Sequence, residues 1–554
     1  MATFYAIHHR WGTIAHLASS DTPSPMLPLA SQTTEQKPEP AAIVAPDGLW
    51  ERLLVQVHPS TGKRVSWAVP IVAIISLYYV FMASAGTFRD LTSQLDYYDQ
   101  MAEGFRHGHL YIQRLPLPAL LATRDPYADS NRPLWVWDAC LYKGHYYLYW
   151  GPVPGLFLLA YKVLVGTHER ITDQWPTTLF ILGRLFAGAA LILSLASRAR
   201  IRQPAWITTL AIAVFGLANP VPFIVARPHV YEASLAGGQC FLFCGLLSAF
   251  WAIEKRALRR RLFVLAGTFW ALALGCRATA FVAVPPLVLI CAGFAWYTSG
   301  RSFKSLFYDG LALGLPIAAA VVAYGAYNYA RFDSVTEFGV RYQVTLQHFY
   351  GKPEYVIPNI FSYLFAPVRW SCRFPFVNII GYRALSPLIR WPQGYLSFER
   401  VGGIMITATW CWLSVVCVAR VCGLLLAPMS RLSLSSLLIP PTHEMWGLLC
   451  SAAVVLSIAP VLPLWEASMR YAGDAIGGIV LAATLGVFAL LRATDRAGRL
   501  WLLLVRGLVL VLGIQTCVIG ALCGVTSTDD PLKTHNPIVF HRLEAALSFC
   551  AASR

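Results

Sequence analysis

Charged residues are scarce in this chain of 554 amino acids, since Asp, Glu, Lys and Arg together make up only 13% of it. Globular proteins carry roughly twice that fraction, about 25%. Hydrophobic residues account for 56%. This composition excludes an ordinary soluble enzyme and a disordered protein. The formal net charge is +16, but no basic block lies in a segment that would fold in water. The sequence therefore gives no support for nucleic-acid binding.

Several catalytic and transport signatures are missing as well. The chain has no Walker A loop, no HExxH motif and no GxSxG nucleophile elbow, so it lacks the signatures of P-loop NTPases, zinc metalloproteases and α/β-hydrolases. No helix carries the regularly spaced arginines of a voltage sensor. No two halves with matching interrupted helices are visible, which disfavours a transporter.

Cysteine pairs of the CxxC type are also lacking, although the chain has thirteen cysteines. Most of them lie inside apolar runs, where a cysteine behaves as a small buried hydrophobe. Cys140 and Cys372 fall in predicted outer loops instead. We therefore regard a Cys140–Cys372 disulfide as a candidate if that face meets an oxidising compartment.

Apolar runs close to twenty residues long dominate what is present, and that length spans a bilayer as a helix. They predict an all-α polytopic membrane protein with about 11–13 transmembrane helices. The runs lie near 65–86, 147–165, 176–197, 205–226, 233–253, 262–276, 278–298, 307–329, 401–427, 445–464, 475–491 and 502–525.

Basic residues between the runs predict the orientation, because cytoplasmic loops are enriched in Lys and Arg. Lys63 and Arg64 place the N-terminus in the cytoplasm. Further basic clusters at 255–261, 301–304, 420–431 and 492–499 put the loops 87–146, 330–399 and 465–474 on the outer face, together with the C-terminus. Arg198, Arg200 and Arg202 conflict with simple alternation. One run between 147 and 226 is therefore re-entrant, broken or wrongly counted.

The domain organisation follows from these boundaries. Residues 1–62 are rich in Pro, Ser, Thr and Ala and are predicted to form a flexible cytoplasmic tail. Residues 63–540 form the transmembrane domain, with 87–146 and 330–399 as its two large outer loops. Residues 541–554 are a C-terminal tail.

Acidic residues crowd into the first outer loop. Asp96, Asp99 and Glu103 follow an i, i+3, i+7 spacing and would share one face of a helix. Three like charges on one face require a cation, a proton or a substrate for compensation. The pattern fits a general base or a metal site, and oxygen ligands would favour Mg²⁺ or Mn²⁺. The alternative is a solvated helix face that lies on the membrane.

Aromatic residues accompany further acids in the same loop. Arg132 precedes the segment Trp135-Val-Trp-Asp138, and the run Tyr146 to Trp150 follows. Rings that stack on sugar C–H faces beside acids that accept hydroxyl hydrogen bonds suit a carbohydrate. At the mouth of a span, the same rings also suit an interfacial aromatic belt.

Ionisable residues at other span ends extend this outer polar face, and such residues are functional candidates by default. Arg341 and Arg470 would grip a phosphate with bidentate bonds, or would pair with Glu337 and Asp474 to hold loops together. The set of predicted substrate-binding residues comprises Glu103, Arg132, Tyr231, Glu232, Glu337, Arg341, Tyr342, Arg470 and Asp474.

These features together resemble the GT-C superfamily of integral membrane glycosyltransferases, which includes protein O-mannosyltransferases, aminoarabinose transferases and oligosaccharyltransferase catalytic subunits. The shared features are an N-terminus inside, a long acidic first outer loop and many later spans. Tyr98, Ala102 and Gly108 follow the family's Tyr–Ala–Gly spacing. The later motifs resemble those of a bacterial group; they are Trp137-Asp138, Gly144 to Tyr147, Gly151 to Pro154, Tyr231-Glu232, Glu337 to Tyr342 and Arg470 to Asp474.

One departure concerns the family's Asp–Glu pair, which would fall on Gln94 and Leu95. Asp96 comes two residues later and Asp99 five. Asp96, Asp99 and Asp138 therefore all remain candidates for the catalytic base, and a chain without catalytic activity remains an alternative.

The resemblance implies a reaction and a location. A polyprenyl-phosphate-linked sugar is the donor, and a glycan, lipid or protein of the envelope is the acceptor. A carboxylate deprotonates the acceptor hydroxyl, and a hexosyl or pentosyl group is transferred, usually with inversion. The protein would lie among the lipids of a bacterial inner membrane, with its active site extracytoplasmic. The alternatives are a transporter or flippase for a lipid-linked or anionic solute, and a non-catalytic envelope assembly protein.

Overall fold

The computed structural model describes residues 59–199, 204–227, 229–345, 351–380, 391–396, 399–426, 442–527 and 530–550. The predicted tail 1–62 lies outside the described residues, except that 59–62 open the first helix. Residues 551–554, the end of the predicted C-terminal tail, also lie outside them.

Helices account for most of the described chain. The α-helices are α1 Pro59–Ala83, α2 Tyr97–Arg106, α3 Pro118–Leu121, α4 Val153–Val165, α5 Gln174–Arg198, α6 Ala205–Leu217, α7 Val221–Ala226, α8 Val230–Glu254, α9 Arg259–Leu274, α10 Ala280–Thr298, α11 Phe303–Phe332, α12 Val356–Phe365, α13 Ile404–Thr407, α14 Ser414–Leu426, α15 Thr442–Val455, α16 Met469–Ala497, α17 Arg499–Val525, α18 Pro531–His535 and α19 Pro537–Leu547. The strands are β1 Cys140–Tyr142, β2 His145–Tyr147, β3 Val368–Trp370 and β4 Val377–Ile379.

Eight helices in the described part of the chain are long and apolar enough to cross a membrane. Three shorter apolar helices accompany them, at Val153–Val165, Ala205–Leu217 and Thr409–Arg420. The predicted fold class, an all-helical polytopic membrane protein, is therefore confirmed. The spanning segments are Arg64–Ala83, Gln174–Arg198, Val230–Glu254, Ala280–Thr298, Phe303–Phe332, His443–Val461, Met469–Thr494 and Arg499–Val525.

The region between 147 and 226 contains the irregularity that the loop charges required. The apolar run 205–226 is divided, since α6 ends at Leu217 and α7 starts at Val221. The amide of Asn219, in the connection, donates to the Thr407 hydroxyl at 3.0 Å. Helix α4 has only 13 residues, which is about 20 Å of helix against the roughly 30 Å hydrocarbon core of a bilayer.

Helices α8 and α16 form the centre of the bundle, since they are the most completely buried of the eight long helices. Helix α8 packs against α5 and α9, and α16 packs against α14, α15 and α17. Helix α11 lies at the periphery and exposes most of its surface. The first residues of α8 include Tyr231 and Glu232, and those of α16 include Arg470 and Asp474. The two central helices therefore position four of the predicted site residues.

The first predicted outer loop is folded onto this bundle. Strands β1 and β2 pair antiparallel, with Cys140 opposite Tyr147, and an isolated bridge joins Cys140 to Gln343. The buried rings of Tyr98 and Tyr146 pack in one apolar cluster with Val230, at the start of α8. This packing brings the hairpin and the residues before it against the end of a central helix.

A buried carboxylate fixes the start of α2. The Asp173 side chain accepts the backbone N–H groups of Tyr97 at 3.1 Å and of Tyr98 at 2.9 Å. Helix starts leave such N–H groups without intrahelical partners. Burial raises the pKa of Asp173 to about 7, although the two hydrogen bonds act to lower it. The loop helix is therefore capped by a residue that lies more than seventy positions later.

The cysteine pairing differs from the expectation. Cys372 forms a disulfide with Cys550, with their Cα atoms 5.7 Å apart, and Cys140 is a free, buried cysteine. The candidate Cys140–Cys372 bond does not form, because Cys372 is bonded to Cys550 and Cys140 is buried in strand β1. Residues after α19 instead run beside the β3–β4 region, where the Phe549 N–H donates to the Cys372 carbonyl at 2.9 Å.

Candidate active site

Asp138 is the carboxylate on which the site is centred. Its Oδ2 accepts a short hydrogen bond from the Tyr231 hydroxyl. Its Oδ1 accepts from the Gln343 amide at 3.1 Å and from the Thr345 hydroxyl at 3.2 Å. Three segments that are distant in sequence therefore meet at one half-buried carboxylate. All three donors are neutral side chains.

The backbone and the surroundings of Asp138 set its chemistry. Its φ of 61° lies in the left-handed region, which aspartate adopts more readily than most residues other than glycine. Burial raises the pKa of Asp138, while the bond from Tyr231 and the positive charge of Arg470 oppose that rise. A carboxylate with a raised pKa is a stronger base than an exposed one.

Tyr231 connects this carboxylate to a cation. The guanidinium carbon of Arg470 lies 4.3 Å from the centroid of the Tyr231 ring, which is a cation–π contact. The indole of Trp150 packs edge-on against the same ring, at 5.2 Å between centroids. Tyr231 and Arg470 are each the second residue of a central helix, α8 and α16. Both side chains are thus fixed by the most buried elements of the fold.

A second arginine lies beside the first. The carboxylate of Glu399 accepts from Arg227 at 2.9 Å and forms a short ion pair with Arg470. The Ser468 hydroxyl donates to its other oxygen in another short bond. Although burial acts to raise it, the charges of Arg470 and Arg227 lower the pKa of Glu399 to about 2. Glu399 is therefore ionised at neutral pH and holds both guanidinium groups.

Glu232 lies next to this cluster and is fully buried. Its carboxylate accepts the backbone N–H of His229 at 3.2 Å, as part of a capping box at the start of α8. Its negative charge also acts on Arg227 and Arg470. The structure thus gives this predicted substrate-binding residue a role in holding the helix end.

Asp474 pairs with Arg277 and not with Arg470. Two nitrogens of Arg277 contact both of its oxygens at 2.8–3.0 Å, and the Thr279 hydroxyl adds a bond of 3.2 Å. The expected Arg470–Asp474 pair is therefore replaced by two separate pairs. The ring of Tyr471 lies between them, 5.0 Å from the Arg470 guanidinium and 5.7 Å from that of Arg277.

The three acids of α2 and its cap are compensated within the protein. Lys162 on α4, itself fully buried, lies 2.6 Å from Asp99 and 2.6 Å from Glu103. Asp96 pairs with Arg170. Burial raises the pKa of Asp99, whereas Lys162 overcomes the effect of burial at Glu103 and lowers its pKa. The positive charges that compensate these three acids therefore come from Lys162 and Arg170 of the chain itself.

The remaining predicted residues lie apart from the Asp138 cluster. Arg341 is largely exposed, 4.0 Å from Glu337, and Glu337 accepts the Gly339 N–H at 2.7 Å. The Tyr342 ring packs against Tyr142 at 4.5 Å. Arg132 is exposed and pairs with Asp129 at 3.2 Å. Tyr342 directly precedes Gln343, which donates to Asp138.

Sequence reasoning missed Glu399, Arg227, Gln343 and Thr345 as members of the site. Glu399 stands in a stretch with no recognisable pattern, so no signal identified it. Arg227 was visible as an ionisable residue beside an apolar run, and Gln343 follows the Arg341-Tyr342 motif directly. The sequence positions of Arg227 and Gln343 were therefore the signals that could have identified these two residues.

A metal site is not supported by the residues present. In the described part of the chain, no group of three or more His, Cys, Asp or Glu side chains could hold a metal ion. Asp99 and Glu103, the acids expected to bind Mg²⁺ or Mn²⁺, share the Lys162 ammonium instead. We derive no catalytic step through a metal.

Comparisons with known proteins gave only distant structural likeness. No protein-family model and no curated protein matches the chain. Crystal structures of the Archaeoglobus fulgidus oligosaccharyltransferase are similar: one tethered to an acceptor peptide has 10% identity and a TM-score of 0.42, and one complexed with zinc and sulfate has 11% and 0.39. The archaeal oligosaccharyltransferase AglB from the same organism, with an inhibitory peptide and dolichol-phosphate, has 12% and 0.41.

The alignments cover 82–83% of this chain and 53–56% of those proteins. The chain thus spans about half the length of the structures that it matches.

Proposed function

We propose that this protein is a membrane glycosyltransferase of the GT-C type, which moves a sugar from a polyprenyl-phosphate donor to an envelope acceptor on the extracytoplasmic face. The observation that carries the proposal is the junction of Asp138, Tyr231 and Arg470. At this junction a carboxylate with a raised pKa lies near a buried guanidinium, which supports a base and a phosphate-binding cation in one site. Transfer from a sugar phosphate needs both groups, one at the acceptor and one at the leaving phosphate.

Asp138 is the base in this mechanism. Its carboxylate takes the proton of the acceptor hydroxyl as the hydroxyl oxygen forms a bond to the anomeric carbon. The bond between that carbon and the phosphate oxygen breaks, and the electron pair leaves with the polyprenyl phosphate. Attack from the face opposite the phosphate inverts the anomeric configuration. The sugar, a hexose or a pentose, ends on the glycan, lipid or protein acceptor.

Arg470 and Arg227 serve the leaving group. The phosphate gains negative charge as the glycosidic bond breaks, and guanidinium groups bind phosphate oxygens with paired hydrogen bonds. Both arginines contact one carboxylate in the structure, so their geometry already suits a shared anion. Tyr231 orients the Asp138 carboxylate through its hydrogen bond, and its ring makes the cation–π contact with Arg470.

Asp138 is preferred to Asp96 and Asp99 because of the partners of each. The latter two contact the cations Arg170 and Lys162 directly, whereas the hydrogen-bond donors to Asp138 are neutral side chains. Asp96, Asp99 and Glu103 then fix the loop helix. The exposed Arg132 and Arg341, with Glu337 and Tyr342, are proposed to contact the acceptor.

The proposed location is a bacterial inner membrane with the N-terminus in the cytoplasm. The basic clusters between spans support that orientation. The Cys372–Cys550 disulfide supports an oxidising compartment for the side on which those residues lie. A transporter or flippase, and a non-catalytic assembly protein, remain the alternative functions.

Transfer from a labelled polyprenyl-phosphate sugar to envelope acceptors tests the proposal, with Asp138→Asn compared against Asp96→Asn and Asp99→Asn. We expect Asp138→Asn to lower the rate by roughly a hundredfold or more, with membrane insertion and folding kept. The other two variants should retain more activity. Transfer that survives in Asp138→Asn but vanishes in Asp96→Asn or Asp99→Asn would move the base to that residue. No transfer by the unmodified protein to any envelope acceptor would exclude the enzyme.

A further inference from the structure

The two-arginine site is filled by a side chain of the protein itself. Glu399 contacts Arg227 and Arg470 through one oxygen and receives the Ser468 hydroxyl on the other. A carboxylate oxygen shared by two guanidinium groups makes the same kind of charge-assisted hydrogen bond that a phosphate oxygen would make there. Glu399 therefore occupies the position that an anionic group of a substrate would take.

The charges of the cluster show why this matters. Arg227 and Arg470 are positive, whereas Glu399, Glu232 and Asp138 are negative when ionised. The neighbouring Arg277–Asp474 pair is neutral as a unit. With Glu399 in place the cluster carries no excess of positive charge, and a phosphate entering it would meet net repulsion. Removing Glu399 leaves two positive and two negative charges, so the net negative charge that a phosphate would meet is gone.

Protonation of Glu399 cannot relieve the repulsion near neutral pH, because the arginines hold its pKa at about 2. The carboxylate must therefore leave its partners for a phosphate to bind. The buried Nε of Arg470 has no hydrogen-bond partner among the described residues. This N–H group can therefore donate to an anion that is larger than a carboxylate. A phosphate offers more acceptor oxygens than a carboxylate and can use it.

We propose that Glu399 is an exchangeable internal anion, which holds the Arg227–Arg470 site in the unliganded protein and is displaced by the phosphate of the lipid-linked donor. This inference rests on the proposed function and adds a competition to it. The internal carboxylate reduces the apparent affinity for the lipid phosphate to the intrinsic affinity multiplied by the fraction of molecules in which Glu399 has left the arginines. It also gives both buried guanidinium groups a direct ion-pair partner when no donor is present.

Binding of a polyprenyl monophosphate to the purified full-length protein tests this, with the uncharged polyprenol as control. Glu399→Gln removes the competing charge, and we expect binding of the phosphate to tighten by roughly tenfold or more, with polyprenol binding unchanged. The same variant should be less heat-stable than the unmodified protein without ligand, and the phosphate should restore more stability to it. Glu399→Asp keeps the charge and should gain no affinity.

A second variant guards against misfolding of the first. Ser468→Ala removes the hydroxyl that holds Glu399 and alters no charge, so phosphate binding should again tighten, by a smaller factor. Unchanged or weaker phosphate binding in both Glu399→Gln and Ser468→Ala would overturn the internal anion.

The transfer assay tests the proposed base, and the binding assay tests the internal anion, so each proposal can fail without the other. If sugar transfer does not depend on Asp138 while Glu399→Gln still tightens phosphate binding, the proposed base is wrong and the internal anion stands. If transfer depends on Asp138 while Glu399→Gln gains no affinity, only the internal anion is overturned.

Discussion

The hydroxyl of Tyr231 donates to the carboxylate of Asp138, and this bond joins the loop 87–146 to the start of a central helix. The same tyrosine ring supports Arg470. One side chain therefore sets the distance between the proposed base and the proposed phosphate-binding cation. Because the ring and the hydroxyl perform different tasks, substitutions can separate them.

Replacing Tyr231 with Phe keeps the ring and removes the hydrogen bond. That bond lowers the pKa of Asp138, so its loss should raise this pKa and move the acidic limb of the kcat/KM profile to higher pH. We also expect a rate loss of roughly tenfold at neutral pH, the size expected from one hydrogen bond to a charged group. A pH–rate profile of sugar transfer measures both effects.

Tyr142 provides the matched control, since its hydroxyl also donates to a carboxylate, that of Asp333, at 2.6 Å on the exposed surface. Tyr142→Phe should leave the acidic limb where it is. Identical profiles for Tyr231→Phe and Tyr142→Phe would contradict the role of Tyr231.

Lys162 should be essential for stability, because it compensates Asp99 and Glu103 inside the protein. Lys162→Met leaves two carboxylates without their cation, and breaking a buried pair in this way costs about 3–5 kcal/mol. Thermal unfolding in detergent measures the loss. A triple variant, Lys162→Met with Asp99→Asn and Glu103→Gln, should recover much of it. Lys143→Met, at an exposed ion pair with Asp333, serves as the control and should change little.

Asp173 should make stability depend on pH. Its pKa in the folded protein, about 7, lies above the ordinary value of an aspartate, so folding favours the protonated form. The stabilisation is fully present below the ordinary pKa and is lost as the pH rises through about 7. Unfolding measured from pH 5 to pH 8 should show this decline. In Asp173→Asn the decline should be smaller, and an equal slope in both proteins would contradict the assignment.

The Cys372–Cys550 bond should protect the C-terminal segment. Thiol labelling of the unfolded, unreduced protein should leave these two cysteines unmodified and reach Cys140. Cys550→Ser should lower the stability, by about 2–4 kcal/mol for a typical disulfide, and should expose Cys372 to the label. Cys140→Ser should leave the bond intact. Labelling of Cys550 together with protection of Cys140 and Cys372 would contradict the Cys372–Cys550 bond and support the rejected pairing.

The helical architecture could be predicted because each spanning segment is a continuous apolar run, a local property of the sequence. Even the irregularity between 147 and 226 was visible, through arginines that fitted no simple alternation. The break at Leu217 to Val221 and the short α4 give it a physical form. Individual boundaries were harder, because a run such as 401–427 is divided by turns that hydrophobicity does not reveal.

The site was only partly predictable, since its contacts join distant segments. Asp138 was one of three candidate bases, and nothing local distinguished it from Asp96 and Asp99. The distinction depends on Lys162 and Arg170, which lie 63 and 74 residues from their partners. Glu399 sits 71 residues before Arg470 in the chain. Such pairings are decided by packing, which a single sequence does not display.

The buried Lys162 also bears on how the chain is assembled in the membrane. An unpaired lysine within an apolar helix costs about 3 kcal/mol to insert, and α4 is only 13 residues long. We expect α4 to insert stably only after α2 has brought Asp99 and Glu103 next to Lys162. The loop 87–146 would then assist the insertion of the helix that follows it, before it contributes Asp138 to the folded protein.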